Sequence, residues 1–111
     1  MDRLTILVDK IKHLKWQRPH PTNQFTGYYY YANMLSYVFT LDRCVEESSY
    51  RLRVLDHYSI LLDDFEYTVD TDEGAMLAKL YDQVAANVTK DEEGEKHLSK
   101  ERYLEFLEEG P

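Results

Sequence analysis

The stretch that decides the fold runs from Tyr28 to Asp70 and reads YYYYANMLSYVFTLDRCVEESSYRLRVLDHYSILLDDFEYTVD. It satisfies two templates. On a helical period, Leu35, Val38, Leu41 and Val45 form one stripe, and Leu52, Leu55, Leu62, Phe65 and Val69 form another. On a period of two, Leu35, Tyr37, Phe39 and Leu41 alternate with Ser36, Val38, Thr40 and Asp42. Tyr50, Leu52 and Val54 alternate with Arg51 and Arg53, and Phe65, Tyr67 and Val69 alternate with Asp64, Glu66, Thr68 and Asp70. Three independent alternating runs favour strands. So does composition, because Tyr, Phe, Val and Thr crowd the segment while Ala is nearly absent. Glu46-Glu47-Ser48-Ser49 reads as a hairpin connection, Asp63-Asp64 as a bend, and Asp70-Thr71-Asp72-Glu73-Gly74 as the exit from the sheet. An antiparallel sheet of three or four strands is therefore expected over 28–70, with an all-α bundle as the alternative.

Helices are expected on either side. Leu4, Leu7, Val8, Ile11 and Leu14 give an amphipathic helix over 3–16, and Pro19, Pro21, Thr22, Asn23 and Gly27 mark a loop over 17–27. After Gly74, the series Met76 or Leu77, Leu80, Tyr81, Val84 and Val88 follows the helical period, with Thr71 or Asp72 as cap. Residues 89–97 are polar around Gly94 and read as a mobile link. Ser99 then caps a short last helix carrying Tyr103, Leu104, Phe106 and Leu107, with Gly110 closing it. The expected fold is α+β: an N-terminal helix, the sheet, then two C-terminal helices, in a single domain spanning 1–111.

Composition supports a core without staples, since 43% of the 111 residues are hydrophobic and 14% aromatic. The ten Tyr outnumber four Phe and one Trp, and each phenol needs a polar partner, so many rings are expected half-buried. Cys44 is the single cysteine, which points to a reducing compartment. Asp2 and Asp9 bracket the short apolar run Leu4–Val8, so no secretory leader is read there. No apolar run approaches the roughly 20 residues of a membrane helix. Cytoplasmic localisation is the expectation.

Charge is uneven. Residues 1–20 carry Arg3, Lys10, Lys12, Lys15 and Arg18 against Asp2 and Asp9, a net +3, so −11 falls on the remainder of a chain whose formal charge is −8. Such a body repels nucleic-acid phosphates and attracts basic protein surfaces. The basic first helix is expected to dock on the acidic body. The charge also serves solubility.

Chemistry-bearing patterns are sparse. His13, His20, His57 and His97 lie in no metal-ligand spacing, and Asp70–Gly74 resembles the opening of a calcium loop without its remaining ligands in register. The four glycines form no phosphate loop, and no cofactor is expected. Arg51 and His57 are separated by five residues. That spacing, in an all-helical domain, resembles the ribonuclease motif of HEPN domains, and the resemblance implies an Arg on phosphate and a His as acid or base. It covers these two residues, and Leu52 stands where that family commonly carries a polar residue.

The leading expectation is a non-enzymatic binding protein of inhibitor, immunity, antitoxin or adaptor type. It would engage a basic protein through Tyr28, Tyr29, Tyr30 and Tyr31 and the polar-phase carboxylates Asp64, Glu66 and Asp70. Neither nucleic acid nor membrane is expected as a direct partner. A structural or oligomerising subunit, including a homo-oligomer, is the third reading.

Overall fold

A computed structural model describes residues 2–18 and 29–109. The order of elements is α1 (Arg3–Ile11), β1 (Tyr29–Met34), β2 (Tyr37–Cys44), β3 (Ser49–Asp56), β4 (Leu61–Thr68) and α2 (Asp72–Glu109). The four strands form one antiparallel sheet in sequential order. The all-helical alternative is thereby corrected: the alternation in the 28–70 stretch is a true strand period.

Each alternating run buries the phase its apolar residues define. Tyr30, Leu41, Leu52 and Phe65 lie opposite one another across the four strands, and all are buried. Ala32, Phe39 and Val54 form the next buried rung. Leu4, Ile11 and Trp16 from the N-terminal segment, and Leu77, Leu80, Tyr81, Val84 and Val88 from α2, complete this one core. Both helices thus cover the same side of the sheet, and among the described residues no element packs on the other, open face. Tyr81 stands edge-on to Tyr30 and Tyr50, with ring centroids 5.3 and 5.4 Å away, the quadrupole-favoured arrangement.

The turns depart from the reading in places. The Val45–Ser48 connection falls where a hairpin was expected, but Asp63 and Asp64 are inside β4. The bend lies earlier, at His57–Ile60, because the Asp56 carboxylate accepts from the amides of Tyr58 and Ile60 at 2.8 and 2.9 Å and shapes the reversal itself. Leu35, an expected core residue, is the first residue of a two-residue loop, at φ 57° and 92% exposed. Val69 lies past the end of β4 and is exposed.

α1 is shorter than 3–16. Asp2 caps it by accepting from the Thr5 amide at 2.8 Å. It ends at Ile11 because Trp16 folds back to bury its ring and donate Nε1–H to the Ile11 carbonyl at 2.9 Å. The basic segment docks on the acidic body, as its charge led one to expect: Arg3 pairs with Asp63 at 2.8 Å and Arg18 with Glu92 at 3.0 Å. Most of the 17–27 loop lies outside the described residues.

The two expected C-terminal helices are one. α2 continues without interruption through residues 89–97, so that stretch is no link and Ser99 no cap. The flanking Glu, Lys, Arg and Leu are strong helix formers, and a single Gly94 costs only about 1 kcal/mol, too little to break a helix propagating from an anchored first half. At 38 residues, α2 sets the long dimension of the molecule, 58 Å against 30 and 29 Å. Among the described residues, no helix is long and apolar enough to cross a membrane.

Candidate functional site

The polar phase of the strands assembles on the open face. Tyr31, Thr40, Arg53 and Asp64 face each other across the four strands, and Asp42, Arg51 and Glu66 form the adjoining rung. The arginines bind diagonally. Arg51 grips Asp64 as a fork, Nε to Oδ1 at 2.8 Å and the terminal nitrogen to Oδ2 at 2.6 Å. Arg53 reaches back to Asp42 Oδ2 at 3.0 Å.

The two carboxylates differ in state. The two hydrogen bonds from Arg51 hold Asp64 below the ordinary carboxylate value. Burial pushes Asp42 above it, outweighing the attraction of Arg53 and Arg51. Among the described residues, three buried polar atoms in these rungs have no hydrogen-bond partner: Thr40 Oγ1, Asp42 Oδ1 and Arg53 Nε. Glu66 is exposed, and among the described residues it has no ion-pair partner. The face therefore exposes the Glu66 carboxylate beside a buried group of one acceptor, one donor and one hydroxyl, framed by Tyr31, whose own hydroxyl donates to Gln17 Oε1 at 3.1 Å.

These states give opposite stability effects. Asp64 contributes stability above the unfolded value of about 3.9, and that contribution is lost as pH falls through its lower folded value. Asp42 contributes below about 3.9 and loses its contribution as pH rises through its raised value. At neutral pH, Asp64→Asn is expected to cost about 1 kcal/mol, the scale of a part-exposed ion pair, while Asp42→Asn leaves the melting temperature unchanged or higher. Thermal melts of both variants near neutral and acidic pH check this. A larger loss from Asp42→Asn would overturn the assignment.

The structure brings together three of the seven residues singled out for partner binding: Tyr31, Asp64 and Glu66. Tyr30 is instead a core residue, 6% exposed. Tyr28 lies outside the described residues, and of Tyr29 only the backbone, opposite Asp42, is described. Asp70 is exposed in the turn after β4, bonded to the Thr68 hydroxyl and off the face. Thr40, Asp42, Arg51 and Arg53 were not read as members of this site. Their signal was the charged polar phase of three runs, which converges only once the strand register is known.

The ribonuclease arrangement is not formed. Arg51 is engaged by Asp64, and His57 sits in the β3–β4 turn with its ring 4.0 Å from that of Tyr58. Between them runs roughly 17 Å of extended strand, where a helix would have stacked them within two turns. Among the described residues no cluster of His, Cys, Asp and Glu could hold a metal ion. No protein-family model, curated protein or solved structure matches this chain.

Proposed function

We propose that this chain is a non-enzymatic binding protein, of inhibitor, immunity, antitoxin or adaptor type, which takes up a basic protein partner on the open face of its sheet. The observation that carries this reading is the open polar face itself, where the exposed Glu66 carboxylate has no ion-pair partner among the described residues and adjoins the incompletely satisfied cluster of Thr40, Asp42 and Arg53. Buried polar atoms without partners cost stability, and a second polypeptide that shifts the side chains over this cluster would complete it, with donors for Asp42 Oδ1 and a carbonyl for Arg53 Nε–H. The acidic excess steers such a partner, and Tyr31 adds contact area. Exposed, unpaired Cys44 accords with a reducing compartment, taken here to be the cytoplasm. The reading needs no cofactor.

The test is capture of partners by wild type and by an Asp42→Asn/Glu66→Gln double variant, followed by binding kinetics on the protein retained. The expected partner is basic, and the double variant slows its association at low ionic strength. That difference vanishes near 1 M salt, where screening shortens to about 3 Å. Tyr31→Ala is expected to speed dissociation about thirtyfold, the equivalent of roughly 2 kcal/mol. A partner bound equally at low and high salt, and equally by all variants, would overturn the reading.

A further inference from the structure

Beyond Val88, the last core residue of α2, every residue from Thr89 to Glu109 is exposed. These 21 residues form a helical arm. In proteins most helical stability comes from packing one face, and among the described residues this arm packs none. The distal end has such a face, and no other described residue covers it: Tyr103, Leu104, Phe106 and Leu107 fall within an arc of roughly 160° at 3.6 residues per turn, and Phe106 is 62% exposed. Beside Leu104 runs a stripe of carboxylates at helical spacing, Glu101, Glu105 and Glu108.

Charge selects the occupant. Over the distal turns, residues 100–109, Glu101, Glu105, Glu108 and Glu109 stand against Lys100 and Arg102, a net −2, and the negative end of the helix dipole lies beside the apolar cluster. A second copy would set like charge against like. We propose that the distal arm docks a cationic amphipathic helix of a partner protein, whose apolar side covers Tyr103, Leu104, Phe106 and Leu107 and whose Lys or Arg residues meet the Glu101, Glu105 and Glu108 stripe. This rests on the reading of the partner as basic and gives that partner a second contact, remote from the open sheet face.

The probe is a synthetic helical peptide with Leu on one side and Lys on the other, compared with its Leu/Glu counterpart by fluorescence anisotropy. The full chain is used as wild type, as a Leu104→Gln/Leu107→Gln arm variant and as the Asp42→Asn/Glu66→Gln face variant. Circular dichroism verifies that each remains folded, which the solvent exposure of both arm residues favours. The Leu/Lys peptide is expected to bind wild type and the face variant alike, to bind the arm variant at least tenfold more weakly, and the Leu/Glu peptide is expected not to bind. A face variant that alone loses the peptide overturns the arm and leaves the open-face reading standing. Absence of Leu/Lys binding, equal binding to the arm variant, or a wild-type dimer in sedimentation equilibrium that the arm variant dissociates each overturns the proposal.

Discussion

Gly74→Ala is expected to lower stability by about 3 kcal/mol or more and the melting temperature by roughly 10 °C or more, the upper range for overpacking against an unyielding neighbour. Helix propensity alone predicts the opposite sign, since Ala is better than Gly inside a helix by about 1 kcal/mol. The difference is the neighbour. A Cβ at position 74 would lie 1.7 Å from the Thr68 carbonyl oxygen and 2.5 Å from its carbon. That carbonyl cannot retreat freely, because it accepts from the Thr71 hydroxyl at 2.7 Å and the Thr71 amide at 3.1 Å. The Thr71 hydroxyl in turn caps α2 by accepting from the Gly74 amide at 3.0 Å. Adding one methyl group therefore forces the end of β4 away from the first turn of α2 and weakens the cap with it. Thermal and denaturant unfolding measure the effect, and a neutral or stabilising Gly74→Ala would show that strand and helix do not meet so closely.

Alkaline unfolding is expected to report on Tyr81. Burial, reinforced by the neighbouring Tyr30 hydroxyl, pushes its phenol up to about 12, from an ordinary 10.0. A folded value above the unfolded one means that the stabilisation is complete below pH 10 and is lost as pH rises through 12. Two pH units correspond to roughly 3 kcal/mol, a large part of the stability of a domain of this size. Phenolate absorbance should therefore show a step near pH 12 that is missing from Tyr81→Phe, with circular dichroism falling alongside it. Tyr81→Phe keeps the edge-on packing against Tyr30 and Tyr50 and removes the titrating hydroxyl, so the unfolding midpoint should move to higher pH. Unfolding that starts below pH 10, or is unmoved by Tyr81→Phe, would sink this assignment.

What could be read in advance was what depends on local period. Phe39 and Leu41, Tyr50 and Leu52, and Phe65 are buried in the phase their alternation implied, because a pleated strand turns every second side chain to one side. Leu77, Leu80, Tyr81, Val84 and Val88 lie inward for the corresponding helical reason. Where local cues competed, reading from sequence failed. Asp63-Asp64 resembles a turn, yet the Asp56 carboxylate had already made it. Gly94 in a polar run resembles a link, yet the helix anchored by Leu77, Leu80 and Val84 propagates through it.

The candidate site was legible only in part for the same reason. That Asp64 and Glu66 belong to a polar phase follows from residues two apart in one strand. That Arg51 forks onto Asp64 and not onto the directly opposed Glu66, or that Asp42 is desolvated, depends on register between strands and on side-chain reach across them. The four tyrosines make the point most sharply: nothing local distinguishes Tyr30 from Tyr31, and the sides they face follow from where the helices pack. The sequence by itself determined the strand-and-helix composition, the buried phase of each run and the acidic balance, because these are set by residue type and spacing along the chain. Tertiary structure decided which face stays open, which ions pair, and that α2 runs on past its packed half, because each rests on contacts between residues distant in sequence.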